Sequence, residues 1–261
     1  MKNLLEKAVK AVLEAGEIIR ENSRKPRQIR HKGRIDLVTE TDLAVEGFLK
    51  AELSEILPNS TFLAEESSGN APLSAQTWII DPVDGTTNFA HGLPFVATSV
   101  ALWENGQVVL GIVNLPLLGE IFTAIRGEGA FMNGNPIHVS ECENLEDSLI
   151  ATGFPYAIEE HVDFIGAALR RVLLATQGVR RPGAAALDLA YLACGRYDGY
   201  YESSLKPWDM AAGWLLVEEA GGRISRYDGG GFDLFAPDIL AAGPGLHEKL
   251  SVLLKSAADS I

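Results

Sequence analysis

Two aspartates three residues apart close the apolar run Trp78-Ile79-Ile80, in the stretch Asp81-Pro82-Val83-Asp84-Gly85-Thr86-Thr87-Asn88-Phe89. Pro82 fixes its own φ and biases Asp81 toward extended backbone, while Gly85 permits a sharp turn, so both carboxylates can leave a strand end toward one site. Paired carboxylates in that arrangement suit divalent cations. The residues after Asp84 read as a turn or short helix start, whose free backbone N–H groups favour an anion such as phosphate. An isolated Asp-Pro-x-Asp is better explained by a helix cap at Asp84 and a surface turn at Asp81. This one is not isolated. Glu65 and Glu66 follow Thr61-Phe62-Leu63-Ala64, and Asp209 opens a helix in Trp208-Asp209-Met210-Ala211-Ala212-Gly213.

If Glu65, Asp81, Asp84 and Asp209 stand close together, Coulomb repulsion decides their state. At roughly 4 Å and an effective dielectric of about 20, each like-charged pair costs about 4 kcal/mol. Protonation or metal relieves it. Four carboxylates balance two Mg²⁺ ions, which prefer hard oxygen ligands. Two such ions roughly 3.5–4 Å apart can activate water and stabilise the leaving alkoxide of an in-line displacement at phosphorus.

Together these stretches resemble the signatures of the inositol monophosphatase family, magnesium-dependent and often lithium-inhibited phosphatases. The family motifs run Gly-Glu-Glu-Ser, Asp-Pro-Ile-Asp-Gly-Thr-Thr-Asn-Phe and Trp-Asp-x-Ala-Ala-Gly. Ala64 stands where Gly is usual, and the resemblance extends from Lys32 through Gly222. It implies two or three Mg²⁺ ions, with Glu65, Asp81 and the Val83 carbonyl on one and Asp81, Asp84 and Asp209 on another. It further implies that Glu65 and Thr86, with Asp42 behind Thr86, position and deprotonate water, and that Gly85 and Thr86 N–H groups hold phosphate. Gly183, Ala184 and Ala185 correspond to the polyol pocket, and Glu202 to an acid that accepts hydrogen bonds from inositol hydroxyls. The loop at Lys32-Gly33 corresponds to one that closes over the metals.

Each of these residues also has a plainer explanation. Asp209 can be a helix N-cap, Glu202 a surface acid at a strand end, and Asp42 a helix-capping residue. The basic stretch from Ser23 to Arg34 can be a solvated loop. The resemblance favours the functional reading, and it implies a homodimer that hydrolyses inositol monophosphate. Fructose bisphosphate or another sugar phosphate is the nearest alternative. Phosphoadenosine phosphatases of the superfamily carry Lys-Glu-Phe where this chain has Thr87-Asn88-Phe89. Some bacterial relatives act instead as accessory proteins in transcription antitermination, a role of association.

With 261 residues, 47% of them hydrophobic, the chain can bury a full core. The 35 acidic against 22 basic residues give a net charge of −13, which disfavours nucleic acid or an anionic membrane as a direct partner. A phosphorylated substrate then needs local positive charge, which bound cations supply. Cys142 and Cys194 show no zinc spacing and no disulfide framework. Five histidines share no metal spacing. The N-terminus does not read as a signal peptide and no run reaches membrane-spanning length, so a cytoplasmic location is expected.

The elements that must hold the site follow from periodicity. Apolar residues from Leu4 to Ile19 at three- and four-residue spacing predict an amphipathic helix ending near Asn22. Thr39-x-x-Asp42 predicts a capping box on a second helix. Between Phe95 and Ser140 short β-rich runs divided by turns, Asn105-Gly106 the clearest, predict an antiparallel meander. Gly127-x-Gly129 lacks the third glycine of a dinucleotide loop. Beyond it an α/β half is expected: strand Leu149–Thr152, helices from about His161 to Ala175 and Pro182 to Gly195, strand Tyr197–Glu202 and helix Asp209–Ala220. The expectation is an α/β (α+β) fold, by resemblance a layered α/β/α/β/α sandwich. Residues 1–261 form a single catalytic unit with sub-domains of about 1–145 and 146–261 and the site in the seam.

Overall fold

The apolar spacing of the N-terminal segment folds Lys2–Ser23 into helix α1, which buries Ala8, Ala11, Val12, Ala15 and Ile19. A short antiparallel ribbon follows, β1 (Ile29–His31) paired with β2 (Leu37–Thr39). Helix α2 (Glu40–Ile56) then starts on the expected capping box: Thr39 Oγ1 accepts from the Thr41 N–H at 3.2 Å, and Asp42 Oδ2 accepts from the Thr39 N–H at 3.0 Å. This computed structural model describes residues 1–25, 29–31, 37–69 and 72–258.

A seven-stranded sheet forms the centre of the first half. Strand β3 (Thr61–Ala64) lies parallel to β4 (Gln76–Asp84), and the short helix α3 (Thr86–His91) leads on to β5 (Ala97–Glu104). The meander continues through β6 (Gln107–Leu115), β7 (Glu120–Ile125), β8 (Gly129–Met132) and β9 (Asn135–Pro136), each antiparallel to the last. Asn105 and Gly106 take φ values of 51° and 92°, as a two-residue hairpin turn with positive φ at both positions demands.

Strand β4 is buried on both faces. Trp78 and Ile80 pack with α1 and α2, whereas Ile79 joins the core on the other side. Alternation along the strand produces this split, and each such large side chain withdrawn from water stabilises the fold by about 1.5–3 kcal/mol.

The second half alternates as expected, with shifted boundaries. It comprises β10 (Leu149–Thr152), α4 (Ile158–Ala175), β11 (Gly178–Arg180), α5 (Ala185–Ala193), β12 (Gly199–Ser203), α6 (Pro207–Glu219), β13 (Arg223–Ser225), β14 (Asp238–Ala242) and α7 (Pro244–Ala258). The five strands order as β11-β10-β12-β14-β13, with β10 parallel to both β11 and β12 and the remaining pairs antiparallel. Helix α5 begins at Ala185 rather than Pro182. The cause is partly a distant one: Gly183 sits at φ 86°, and Asn88 Nδ2, from the first half, donates to the Pro182 and Gly183 carbonyls at 2.9 and 3.3 Å, which holds that segment as a loop.

Helices α5 and α6 lie between the two sheets, and one apolar core runs from the large sheet through them to Tyr200, Ile239 and Ala241 of the small one. Helices α4 and α7 cover the outer face of the small sheet, with Val172, Leu246 and Leu250 in the contact. The layers are therefore α/β/α/β/α. Among the described residues no helix is long and apolar enough to cross a membrane.

Candidate active site

The site starts from an irregularity in β4. Asp81 pairs with Ser99 and Asp84 with Ala97, so β4 carries one residue more than β5 over this span. Pro82 has no N–H for the ladder, and a bulge is where a strand tolerates it. Its carbonyl accepts from Thr98 Oγ1 at 3.0 Å, and Asp81 Oδ1 accepts from the Val83 N–H at 3.0 Å. The strand therefore does not end at Asp81: it continues through Asp84, and the bulge re-aims both acids.

Asp84 reaches out of the first half altogether. Its Oδ2 accepts from the Ala186 N–H at 2.7 Å, so it caps helix α5, not the helix that follows it in sequence. Asp209 makes the equivalent contact on α6, where Oδ2 accepts from the Lys206 N–H at 2.6 Å. Lys206 is the N-cap residue and Asp209 lies in the first turn, which corrects the expectation of Asp209 as the cap. Glu65 follows β3, and its N–H bonds the Ile80 carbonyl at 3.2 Å. Glu66 uses its N–H on Glu46 Oε2 at 2.8 Å.

Gly85, at φ 89°, turns the chain from β4 into α3. A Cβ there would sit 2.7 Å from the Phe95 carbonyl oxygen, so the position demands glycine twice over. Thr86 follows immediately. Its hydroxyl lies 3.1 Å from Asp42 Oδ1 and 3.0 Å from the Val83 carbonyl, both acceptors for its single proton. Asp42 is fully buried behind it and also accepts from the Thr39 hydroxyl.

One cavity of about 560 Å³ gathers these groups. Glu65, Asp81, Val83, Asp84, Gly85 and Thr86 line one side, and Asp209 with Lys206 another. Gly183, Ala184, Ala185 and Glu202 face the same space from the second half. Asp42 is the expected residue that does not line it, since it acts on Thr86 from behind. Lys32 lies outside the described residues.

The lining also holds groups that motif reading passed over. Arg181 brings a guanidinium to the cavity, 5.2 Å from the centroid of the Phe154 ring. Gly153 lies against Glu202, and Tyr200 donates its hydroxyl to Glu202 Oε2 at 2.6 Å. Tyr-x-Glu on one strand puts both side chains on one face, a signal available in the sequence; the approach of Gly153 depends on strand pairing and was not.

The acids act strongly on one another. Burial raises the Asp81 pKa well above the ordinary range, and the charges of Glu65, Asp84 and Asp209 add to it. Burial pushes Asp84 up to about 7 against the lowering effect of the Ala186 N–H, with Glu202 and Glu65 raising it further. Asp209 is raised well above its usual value by burial, opposed by the Lys206 N–H and reinforced by Asp84 and Glu65. Glu202 rises to about 7, again through burial, although Tyr200 and Arg181 favour its charged form. Hard oxygen donors, buried together and mutually repelling, match a divalent cation in donor chemistry and in charge. Among the described residues no three of them already stand at metal-binding distances from one point, and Asp84 and Asp209 each turn one oxygen onto a backbone N–H at a helix start. Asp81 and Asp209 each have a second oxygen that takes no hydrogen bond from a described residue.

Acids at these element ends, on this five-layer frame, invite comparison with proteins of known kind. The sequence profile of the inositol monophosphatase family matches residues 1–259. The chain belongs to the inositol monophosphatase family. Inositol monophosphatase 2 of Solanum lycopersicum is 42% identical over 255 residues, 95% of this chain and 96% of that protein. The Nus factor SuhB of Salmonella typhimurium is 38% identical over 247 residues, 94% of this chain and 92% of its own length. Among solved structures, the extragenic suppressor protein suhB of Bartonella henselae superposes with a TM-score of 0.92 at 40% identity, covering 97% of this chain and 98% of that one. Membership of the inositol monophosphatase family thus rests on nearly the whole length, not on the acidic motifs alone.

Proposed function

We propose that this protein is a magnesium-dependent phosphomonoesterase that hydrolyses an inositol monophosphate to inositol and phosphate, acting as a single catalytic unit whose two halves meet at the site. The observation that carries the reading is the shared cavity: mutually repelling acids from β4 and α6 face Glu202 and the small residues at the start of α5 across about 560 Å³. In this reading Glu65, Asp81, the Val83 carbonyl, Asp84 and Asp209 hold magnesium. When bound, magnesium supplies Lewis-acid charge for the phosphate oxygens and the leaving group.

The chain's own residues do the rest. With its proton directed at Asp42 or the Val83 carbonyl, the Thr86 oxygen presents a lone pair that accepts a hydrogen bond from the attacking water. Glu65 takes the water's proton. Backbone N–H groups at Gly85 and Thr86 orient the phosphate, a role supported by the place of both residues in the cavity lining at the start of α3. Gly183, Ala184 and Ala185 leave room for a ring, and Glu202 accepts from its hydroxyls. The family reading carries with it a homodimer, sensitivity to lithium and a cytoplasmic setting.

Phosphate release from inositol 1-phosphate, fructose bisphosphate, histidinol phosphate and phosphoadenosine phosphate tests this directly. Turnover of inositol 1-phosphate that chelation abolishes and Mg²⁺ restores is the expected result. Preference for fructose bisphosphate or for the nucleotide overturns the substrate, and turnover in chelator overturns the metal.

The likeness to a Nus factor over 94% of this chain favours a second reading, an accessory role in transcription through protein contacts. The net charge of −13 opposes direct RNA binding. Asp84→Asn separates the two readings: it removes phosphate release and leaves association with a polymerase complex intact if both roles exist.

A further inference from the structure

Strand β10 runs parallel to β12 with Thr152 opposite Tyr201, so the next pair across the strands is Gly153 and Glu202. Side-by-side residues on paired strands point to the same face, and a side chain at 153 would rise next to that of Glu202. The Glu202 carboxylate instead folds into that space. A Cβ on Gly153 would lie 1.9 Å from Glu202 Oε2 and 2.2 Å from both Cδ and Oε1. Gly153 is absent from the positions of positive φ, so its backbone would accept any residue, and the need for glycine is one of room alone.

Tyr200 supplies the second hold. It stands two residues earlier on the same face of β12, fully buried, and its hydroxyl donates to Glu202 Oε2 at 2.6 Å. Buried from water, that hydroxyl has no solvent partner to compete for it. Glutamate has three side-chain torsions and would otherwise sample several rotamers in a cavity of this size. Room on one flank and a donor on another select one.

We infer that Gly153 and Tyr200 are positioning residues that fix the Glu202 carboxylate for a hydroxyl-bearing ring, and that the missing side chain at 153 sets selectivity for polyol phosphates over phosphate esters without hydroxyls. The inference rests on the reading of Glu202 as the hydroxyl acceptor. A hydrogen bond to a charged acceptor is strong enough that misplacing it changes binding by about tenfold. The atoms that collide with a Cβ at 153 belong to the free end of a flexible side chain, so Gly153→Ala displaces Glu202 without breaking the fold.

The test compares Gly153→Ala, Tyr200→Phe, Glu202→Ala and the double variant Gly153→Ala/Glu202→Ala on inositol 1-phosphate and, side by side, on 4-nitrophenyl phosphate. In Gly153→Ala, KM for the inositol ester is expected to rise about tenfold relative to that for the aryl ester, with kcat following far less. Tyr200→Phe shifts the ratio the same way, by about threefold. In the Glu202→Ala background Gly153→Ala adds nothing further, because its action runs through that carboxylate. An unchanged ratio in both single variants overturns the inference, as does a full effect of Gly153→Ala without Glu202. If Glu202→Ala itself leaves KM for the inositol ester unmoved, the assignment of Glu202 falls and this inference with it. A wild type that ignores inositol 1-phosphate for another polyol phosphate overturns only the proposed substrate, and the ratio is then read with that ester.

Discussion

Asp84 Oδ2 accepts the Ala186 N–H at 2.7 Å, so an acid of the first half caps a helix of the second. The contact spans 102 residues of sequence and places one carboxylate in two tasks, structural and chemical.

Those tasks separate by substitution. Asp84→Asn retains an acceptor for Ala186 and removes a charge that faces Glu202 and Glu65. Its melting temperature in chelator is expected to equal or exceed that of the parent, while phosphate release falls at least about a hundredfold. Asp84→Ala loses the cap as well and is less stable by about 1–2 kcal/mol. Thermal melts run in parallel with a phosphate assay check both.

Thr86 offers a second division. Thr86→Ala removes the donor to buried Asp42 and is expected to lower kcat about a hundredfold, with little change in KM. Thr86→Ser keeps the hydroxyl and recovers most of the rate. Steady-state kinetics of the pair distinguish loss of the hydroxyl from loss of the methyl.

Asp188 is fully buried, and among the described residues neither of its oxygens has a hydrogen-bond partner. Burial, with Glu202 and Asp84 nearby, raises its pKa well above the ordinary 3.8. The unfolded chain releases this proton near 3.8 and the folded chain holds it, so the stability linked to it is full below that value and is lost as pH rises. Asp188→Asn, which has no carboxyl to ionise, is expected to be more stable than the parent at pH 8 and to lose that advantage at pH 4. Urea midpoints at the two pH values measure the difference.

His247 works in the opposite sense. It is 2% exposed, its Nε2 lies 2.9 Å from Ser225 Oγ, and burial together with Arg223 lowers its pKa from 6.5 to about 4. Stability linked to it is full above pH 6.5 and is lost as pH falls toward 4, by roughly 3 kcal/mol. Acid denaturation of His247→Gln should lack this component.

Local interactions were legible because their partners are near in sequence. Thr39 and Asp42 declare their capping box at three-residue spacing, Asn105-Gly106 its hairpin, and Leu149–Thr152 its strand. The layered order followed from resemblance, and the helix and strand succession agreed with it. Much of what escaped depends on distant partners. No local signal says that Asp84 caps α5, or that Asn88 holds the carbonyls of Pro182 and Gly183 and so delays that helix to Ala185. Helix α4 starts at Ile158 rather than His161 because Glu159 and Glu160 serve a first turn, where acids favour the dipole. Beyond Gly222 the short strands β13 and β14, separated by a glycine-rich turn, carry little periodicity, whereas α7 does carry a local signal in Pro244 at its start and Leu246, Leu250 and Leu254 at four-residue spacing. The alternation of Tyr200 and Glu202 on one strand face is readable locally, but the hydroxyl contact between them is seen only in the structure.

The shared middle layer of α5 and α6 has a consequence for synthesis. A ribosome that has delivered the chain only as far as β9 has made a sheet whose one face, lined by Ile79, Ala101, Val113 and Phe122, has as yet nothing to cover it. Nascent chains stalled there would present a broad sticky surface, so chaperone demand and loss to aggregation should peak before codon 185 is read and decline once those two helices emerge.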